Sequence, residues 1–368
     1  MALSPAYFST ELSLALRTVH RASIVTKQVL RSLDNRISAE TKADASPVTI
    51  ADFAAQALII SSIHSVYPDD KFVGEEDARQ LRDNPDLAKR VWEIVQGAAS
   101  LKMEQHDDPL ASPGTLETML DIMDLGMGES TRQGRVWVLD PVDGTATFMK
   151  GQQYAVCLCL LVDGVQHVGV IGCPNLSFEI AGSKIREDDV DLEGYGVVLS
   201  AVKGQGTSVQ KMHADSLVSP SQIEQQGQRK DLTTLDFVEA TIGKTTLSQS
   251  EHREVAETLG AKWPSTVIWS QQMKYVSLAL GATDVMVRIP KTRERFTYVW
   301  DHAGGNLLFE EVGGVIRDIN GAVIDFGQGR KLLGERNFGM VAAMPFCFND
   351  VEKAVKDVLL KRTDGDLE

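Results

Sequence analysis

The sequence lacks the features that mark several common protein classes. Its 368 residues include only four cysteines, Cys157, Cys159, Cys173 and Cys347, and no Cys-x-x-Cys pair. A disulfide framework and a zinc site built on cysteines are therefore not expected. Cys157 and Cys159 lie two residues apart in an apolar run, so they face the same side of a strand. We expect buried free thiols and a reducing compartment.

Long apolar runs and an excess of positive charge are also missing. No run of about eighteen apolar residues is present, so no membrane span is expected. The N-terminus, Met1-Ala2-Leu3-Ser4-Pro5, lacks a basic region followed by an apolar core, which predicts a cytoplasmic or nuclear location. The 37 basic and 51 acidic residues give a formal charge of -14. Such a surface repels nucleic-acid polymers and anionic membranes, although a small phosphorylated metabolite remains a possible partner because bound cations can invert the local field. We expect a monomer.

Composition and length instead describe an ordinary globular protein. Hydrophobic residues make up 43% and charged residues 24% of the chain. The length predicts two domains or one large one. We place a boundary at Cys173-Pro174-Asn175, where the first sheet is expected to end. The prediction is an N-terminal α+β domain over residues 1–175 and a C-terminal α/β domain over residues 176–368.

The pattern of apolar residues predicts helices and strands along the whole chain. Apolar side chains recur at helical spacing over residues 9–33, and a second helix is expected over 51–66. Asp163-Gly164 between two apolar runs is typical of a hairpin turn. The further predicted helices are 87–102, 115–125, 272–280 and a helix ending near Val312. The predicted strands are 71–73, 154–162, 165–171, 196–202, 267–269, 285–288 and 341–343, with a loop over 216–229.

The segment Trp137-Val138-Leu139-Asp140-Pro141-Val142-Asp143-Gly144-Thr145 combines an apolar strand with two acids on a rigid turn. Carboxylate oxygens three residues apart form a hard, oxygen-rich site of the kind that Mg²⁺ prefers. The alternative is a strand followed by an ordinary Asp-Gly turn. This motif is therefore a candidate metal site.

Three further acids stand at predicted element ends, where binding residues can converge on one cleft. Asp52 begins a helix and could cap it together with Thr49. Glu75 follows a strand and could be a turn acid. Asp301 opens a helix and could be its N-cap. A surface turn is the preferred interpretation of His106-Asp107-Asp108.

The order and separation of three motifs resemble one family. Gly74-Glu75-Glu76, the Trp137–Thr145 motif and Trp300-Asp301-His302-Ala303 with Gly305 resemble the lithium-sensitive, Mg²⁺-dependent phosphatases of the inositol monophosphatase superfamily. The match is closest to the 3′(2′),5′-bisphosphate nucleotidases of fungi and plants. The resemblance implies the layered αβαβα architecture of inositol monophosphatase and fructose-1,6-bisphosphatase.

The resemblance also implies a role for each site residue. Metal ligands would be Glu75, Asp140, the carbonyl of Val142, Asp143 and Asp301, holding two or three Mg²⁺ ions. Asp52, paired with Thr145, would orient and deprotonate the attacking water. The substrate-binding candidates are Gly144, Thr145, Lys274, Arg288 and Asp301. The implied reaction removes the 3′-phosphate of adenosine 3′,5′-bisphosphate, and 3′-phosphoadenylyl sulfate is a second expected substrate.

The substrate side departs from the family pattern while the metal side matches it. Ala146-Thr147-Phe148 replaces Lys-Gly-Phe, and Ser270-Gln271-Gln272-Met273 displaces a serine by one residue. Lys203 stands where an arginine is usual, which loses bidentate phosphate geometry. Two alternatives therefore remain open. One is a phosphatase for inositol phosphates or another small bisphosphate, and the other is a catalytically weak sensor of phosphorylated metabolites.

Overall fold

The computed structural model describes residues 7–33, 40–41, 47–48, 50–99, 101, 109–178, 184–224, 231–243, 245–264 and 266–362. The helices are α1 Ser9–Leu33, α2 Ile50–Val66, α3 Arg79–Asp83, α4 Pro85–Ala99, α5 Leu116–Asp124, α6 Thr145–Phe148, α7 Gln249–Thr258, α8 Gln271–Ala279, α9 Ala303–Glu311 and α10 Pro345–Leu359. The longer strands are β3 Lys71–Gly74, β4 Arg135–Asp143, β5 Ala155–Val162, β6 Val165–Cys173, β7 Val197–Val202, β8 Thr207–Lys211, β12 Val285–Arg288 and β16 Met340–Ala343. The shorter strands are β1 Glu40–Thr41, β2 Pro47–Val48, β9 Ser221–Gln222, β10 Val238–Glu239, β11 Thr266–Val267, β13 Phe296–Tyr298, β14 Val315–Arg317 and β15 Lys331–Leu333.

A seven-stranded sheet forms the centre of the molecule, in the order β3-β4-β5-β6-β7-β8-β9. Strands β3 and β4 are parallel, and each later pair is antiparallel. The β5–β6 hairpin turns at Asp163 and Gly164, whose φ angles of 51° and 80° match the left-handed turn that an Asp-Gly pair favours. The predicted hairpin is confirmed.

The two faces of this sheet bury alternate residues of each strand. Trp137 and Leu139 of β4 pack in the cluster that contains α1 and α2 side chains, whereas Val136 and Val138 pack with residues of α8 and α9. This alternation follows from the two-residue period of a strand. Helix α2 is buried almost throughout because a second cluster with α4 and α5 covers its other side.

A second sheet lies beyond α8 and α9. Its strands run in the order β12-β16-β14, all antiparallel. Side chains of α10, including Val351 and Val355, join the same core cluster as this sheet. The layers are therefore helices, large sheet, helices, small sheet and helices. This arrangement confirms the predicted αβαβα architecture.

The expected end of the first sheet at Cys173-Pro174-Asn175 is wrong. Strand β7 pairs antiparallel with β6, from Cys173↔Val197 to Val168↔Val202, so the sheet continues through β8 and β9. An apolar strand after a loop cannot be assigned to one sheet or another from its own sequence. The division of the chain at residue 175 stays a prediction.

Most predicted element bounds agree with the structure within a few residues, and the four cysteines are free and buried as expected. The sequence did not predict β8, α7 or α10. Part of the predicted loop at 216–229 forms β9, and residues 225–229 lie outside the described residues. Thr49 and the segment His106-Asp107-Asp108 also lie outside them. No helix among the residues described is long and apolar enough to span a bilayer.

Candidate active site

Parallel pairing of β3 with β4 brings Glu75 and Asp140 together. Gly74 of β3 is the register partner of Leu139 of β4. Glu75 and Asp140 are the next residues on these strands, so both acids emerge at the same edge of the sheet. Burial raises the pKa of Asp140 well above its usual value, and the negative charge of Glu75 raises it further.

The turn after Asp140 differs from the expected strand end. Strand β4 continues to Asp143, with an irregularity in its pairing to β5 between Asp140 and Asp143. The chain then turns at Gly144, where φ is 96° and an added Cβ would lie 2.8 Å from Oγ1 of Thr147. The hydroxyl of Thr145 donates to the Val142 carbonyl oxygen at 3.2 Å. Only glycine fits the left-handed, crowded backbone position of residue 144.

Asp143 is held by the start of helix α8. Its Oδ2 accepts hydrogen bonds from the hydroxyl of Ser270 and from the backbone N–H of Gln272, the latter at 2.5 Å. Ser270 is also the N-cap of α8 and accepts from the Met273 N–H. Burial raises the pKa of Asp143, while these hydrogen bonds act in the opposite direction. The carboxylate therefore has a fixed orientation.

Gln272 links Asp143 to the segment that carries Asp301. Its side chain is fully buried, with Nε2 donating to the carbonyl oxygen of Trp300 at 2.7 Å and Oε1 accepting from the N–H of Gly305 at 2.9 Å. Gly305 has no room for a side chain, because an added Cβ would lie 2.5 Å from Gln272 Oε1. The start of α9 thus packs directly against α8.

Asp301 precedes the N-cap of α9 and does not occupy it. The N-cap is His302, and the helix begins at Ala303. Asp301 instead accepts from the Thr297 hydroxyl at 3.1 Å. The Thr297 oxygen lies 2.9 Å from His302 Nε2, and His302 Nδ1 lies 2.8 Å from the Tyr275 hydroxyl.

These hydrogen bonds form one consistent chain. Because Thr297 donates to Asp301, its oxygen accepts from Nε2–H of His302. This leaves Nδ1 of the neutral ring as an acceptor for the Tyr275 hydroxyl, which also lies 2.9 Å from Sδ of Met340. Burial and nearby cations lower the pKa of His302 well below its usual value, so the ring is neutral. The chain fixes the carboxylate of Asp301.

The three aspartates form a single cluster. One carboxylate oxygen each from Asp140, Asp143 and Asp301 lies within 4.8 Å of the others. Asp301 is the least buried of the three, and desolvation with the charges of Asp143 and Glu75 raises its pKa to about 7. Uncompensated buried carboxylates are costly. A hard divalent cation that accepts oxygen ligands would remove this cost, so the residues fit Mg²⁺.

Asp52 approaches the cluster from helix α2. It is buried, and its charge contributes to the raised pKa of Asp140. Gln56, one turn later on the same helix face, exchanges hydrogen bonds of 2.5 Å and 3.0 Å with the backbone of Glu76. This face of α2 therefore packs against the segment that carries Glu75.

Arg330 connects the two sides of the cluster. Its guanidinium donates to the carbonyl oxygens of Gly74 at 2.6 Å and Gly126 at 2.9 Å. It also lies over the ring of Trp300, 4.7 Å from the ring centroid. Gly74 precedes Glu75 and Trp300 precedes Asp301, so one side chain braces the backbone at both acids.

Lys274 and Arg288 lie together beside the acids. Both are buried, and both donate to Oε1 of Gln271, Lys274 at 3.5 Å. Burial and the charge of Arg288 lower the pKa of Lys274 to about 8. In the part of the chain that the structure describes, no carboxylate forms an ion pair with either cation. The pair is well suited to receive an anion.

The interpretation of Lys203 as a replaced phosphate contact is wrong. Lys203 is exposed in the hairpin between β7 and β8, and its charge acts on Glu310 near the C-terminal end of α9. Asp301 lies before the other end of this nine-residue helix, about 13 Å away at 1.5 Å per residue. The carboxylate of Glu311 holds this hairpin, because it accepts hydrogen bonds from the backbone N–H groups of Gly204 and Gly206.

The sequence did not reveal the supporting residues Ser270, Gln272, Thr297 and His302. Each is a common polar residue. Ser270 contacts Asp143 from 127 residues away, whereas Thr297 lies only four residues before Asp301. One signal was present, because Ser270 precedes a predicted helix and serine is a preferred N-cap.

Comparison with known proteins gives the same family as the motifs. The model of the inositol monophosphatase family matches residues 12–344. A relative from Schizosaccharomyces pombe named 3′(2′),5′-bisphosphate nucleotidase is 39% identical over 96% of this chain and 97% of its own length. One of the same name from Emericella nidulans is 38% identical over 96% and 99%. A relative from Arabidopsis thaliana named probable 3′(2′),5′-bisphosphate nucleotidase 4 is 30% identical over 96% and 97%.

Solved structures share the fold. The extragenic suppressor protein suhB from Bartonella henselae superposes with a TM-score of 0.59, at 16% identity, over 95% of this chain and 99% of its own. Inositol monophosphatase II from Staphylococcus aureus gives a TM-score of 0.56 at 14% identity, over 98% and 99%.

Proposed function

Because this chain belongs to the inositol monophosphatase family, we propose that it removes the 3′-phosphate from adenosine 3′,5′-bisphosphate with the help of Mg²⁺, giving AMP and phosphate. Curated relatives with identities of 35–39% carry the name bisphosphate nucleotidase. The family is metal-dependent. We propose 3′-phosphoadenylyl sulfate as a second substrate of the same site.

One observation carries the proposal: two buried aspartates and the half-buried Asp301 converge within 4.8 Å, while two buried cations lie beside them. The acids and the cations interact electrostatically. The charge of Asp143 acts to raise the pKa of Lys274, and the charge of Asp301 acts to raise the pKa of Arg288. A site for cations and a site for an anion therefore adjoin. A substrate with two phosphates can use both.

We propose that Glu75, Asp140, the Val142 carbonyl, Asp143 and Asp301 hold two or three Mg²⁺ ions. Mg²⁺ held there would neutralise charge on the phosphate dianion and make the attacking water more acidic. The hydrogen bonds to Asp143 from Ser270 and Gln272 and the contact of Thr297 with Asp301 keep these ligands oriented. Such supporting contacts commonly change metal affinity 10- to 100-fold.

Asp52 is the proposed general base, with Thr145 as its partner. Its burial and its interaction with Asp140 support a position at the reaction centre. A base there would accept the proton of the attacking water, and the backbone of Gly144 with Thr145 and Asp301 would contact the substrate. No covalent intermediate is required, since water attacks the phosphorus directly.

Lys274 and Arg288 are the proposed partners of the second phosphate, which is not hydrolysed. Gln271 Oε1 lies between them, so a neutral oxygen occupies the place that a phosphate oxygen would take. A charged oxygen is a stronger acceptor than an amide oxygen. Replacement of the Gln271 oxygen by a phosphate oxygen would therefore favour binding of a bisphosphate over a monophosphate.

Asp52→Asn tests the reaction assignment, because it retains the size of the side chain and removes the base. We expect turnover to fall by about 100-fold or more, in the range of general base catalysis, while Mg²⁺ still raises the unfolding temperature. Chromatography of the wild-type product should give adenosine 5′-monophosphate and no 3′-monophosphate. Near-normal turnover in the variant, or release of the 5′-phosphate, would contradict the proposal.

A further inference from the structure

The cationic side of the site extends beyond Lys274 and Arg288. Arg288 lines a small cleft together with Arg295 and Thr297, and Thr297 is the residue that donates to Asp301. The cleft therefore adjoins the carboxylate cluster. Arg295 was not among the residues that the sequence pointed to, since it lies in the charged segment Arg293-Glu294-Arg295 that looks like solvated surface.

Arg295 is held in place by its surroundings. It directly precedes β13, where Phe296 pairs with Leu333 of β15. Gly334 follows β15 and has no room for a side chain, because an added Cβ would lie 2.7 Å from the Arg295 carbonyl oxygen. The side chain is partly buried, and its Nε donates to Thr246 Oγ1 at 2.6 Å. The base of the guanidinium is thus oriented by the protein.

The other end of the guanidinium has no hydrogen-bond partner among the described residues. Neither Nη1 nor Nη2 of Arg295 hydrogen-bonds a residue in the described part of the chain, and no carboxylate pairs with it. Among the described residues, Arg288 donates a hydrogen bond only from Nη1, to Gln271. Burial and the charge of Arg288 lower the pKa of Arg295 to about 9. Two guanidinium groups therefore line one cleft without an anion between them.

The acids of the site cannot provide that anion once metal is bound. Asp301 and Asp143 act on Arg288 electrostatically, and Asp301 acts on Arg295. These are proposed metal ligands, so bound cations would cancel their charge and leave the cleft strongly positive. A planar fork of N–H donors matches the oxygens of a phosphate or sulfate group.

We propose that Arg295 binds the second, non-reacting phosphate of the substrate together with Arg288 and Lys274, and so determines preference for bisphosphates over monophosphates. This inference rests on the proposed function and adds a specificity residue to it. The ligand class is a nucleotide with a phosphate monoester beside the one that is cleaved.

The test compares Arg295→Gln with the wild type on two substrates, adenosine 3′,5′-bisphosphate and adenosine 3′-monophosphate. We expect the variant to raise KM for the bisphosphate about tenfold or more, the size of a lost charge-assisted hydrogen bond. KM for the monophosphate should change by less than about twofold, since that substrate lacks the second phosphate. Arg295→Lys should restore part of the preference, because it keeps the charge and loses the fork.

Arg293→Gln is the matched control, because Arg293 is exposed on the same segment. It should leave both KM values unchanged. Calorimetric titration with AMP, which carries only the 5′-phosphate, gives a second readout without turnover, and Arg295→Gln should weaken its binding.

An equal rise of KM for both substrates, or no change for either, would overturn the role of Arg295 while the proposed function stands. Wild-type protein that releases no phosphate from the bisphosphate would overturn the proposed function itself. Unfolding temperatures within about 2 °C of the wild type would exclude a folding defect, since a loss of 1 kcal/mol shifts the midpoint by about that much.

Discussion

Replacing Asp143 by Asn should make the metal-free protein more stable and abolish its response to Mg²⁺. Oδ2 of Asp143 accepts from Ser270 and from the Gln272 N–H, and the Asn carbonyl oxygen can accept both hydrogen bonds. The substitution therefore removes charge and keeps the local structure. It separates the electrostatics of the cluster from the packing of α8.

The magnitude follows from the spacing of the carboxylates. Two charges at the 4.8 Å limit of the cluster repel by about 3 kcal/mol at an effective dielectric constant of about 20. Protonation already relieves part of this, because the pKa of Asp140 is raised well above its usual value and that of Asp301 to about 7. At pH 8 Asp301 is above its pKa of about 7 and carries a charge, which Asp143→Asn would no longer oppose. We expect a net gain of about 1–2 kcal/mol, because the lost attraction of Asp143 to the buried Lys274 and Arg288 and the screening of the partly exposed Asp301 offset part of the relieved repulsion.

The assay is thermal unfolding at pH 8 in EDTA and in saturating Mg²⁺. In EDTA the Asp143→Asn midpoint should exceed the wild-type midpoint by about 2–5 °C. Mg²⁺ at about 100 times its Kd should stabilise the wild type by about 2.7 kcal/mol and the variant by little. Activity should fall by about 1000-fold, equal to about 4 kcal/mol of lost transition-state stabilisation.

The control is Asp83→Asn, which neutralises an exposed acid at the end of α3. It should behave as the wild type in both conditions. If Asp143→Asn is less stable than the wild type in EDTA, or keeps the full Mg²⁺ stabilisation, then Asp143 neither destabilises the metal-free cluster nor binds Mg²⁺.

Three other measurements test parts of the site. Asp140, Asp143 and Asp301 have raised pKa values, so the folded metal-free protein holds more protons than the unfolded chain, and their contribution to stability falls as pH rises through those pKa values, which for Asp301 is about 7. Unfolding curves at pH 5 and pH 8 should therefore show a larger Mg²⁺ stabilisation at pH 8, and an equal effect would contradict this. Thr297→Val removes the hydrogen bond to Asp301 and should raise the Mg²⁺ concentration for half-maximal activity about tenfold. Thr297→Ser keeps the hydroxyl and should restore the wild-type value. If the Ser variant is as impaired as the Val variant, the effect comes from packing of the Thr297 methyl group and not from its hydrogen bond. Arg330→Lys loses the paired contacts to Gly74 and Gly126 and should lower activity at limiting Mg²⁺ at least about fivefold. The exposed control Arg336→Lys should not lower it. Equal Mg²⁺ dependence in both variants would exclude a role of Arg330 in positioning Glu75 and Asp301.

The sequence predicted those parts of the site whose signal is local. Asp140 and Asp143 share one short motif, and Glu75 and Asp301 each stand beside a recognisable strand or helix. The strand and helix periodicities were equally local, as in α1 and the β5–β6 hairpin. The resemblance of the motifs then predicted the layered architecture.

Long-range pairing was not predictable in the same way. Strand β7 pairs with β6 because the edge of β6 is available for pairing. The apolar pattern of the β7 sequence alone does not show which strand it will pair with. The contacts of Ser270 with Asp143 and of Gln272 with Trp300 also depend on how α8 packs against the rest of the chain. Lys203 shows the converse error, since a family pattern suggested a phosphate contact where the structure has a hairpin turn held by Glu311.

Thr147 illustrates how a departure in sequence can be structural. Its side chain is buried, and its hydroxyl lies 2.8 Å from the carbonyl oxygens of Gly144 and Gln153. It supports the turn that presents Asp143. The departure from the family pattern at this position therefore concerns the packing of the turn more than the recognition of the substrate.

The most direct test of the account is phosphate release from a panel of substrates under one set of conditions. The panel contains adenosine 3′,5′-bisphosphate, 3′-phosphoadenylyl sulfate, adenosine 3′-monophosphate and inositol phosphates, each with Mg²⁺ and with EDTA. Adenosine 3′,5′-bisphosphate should give the highest kcat/KM, and no substrate should be turned over in EDTA. A higher kcat/KM for an inositol phosphate, or phosphate release that persists in EDTA, would contradict the proposed function.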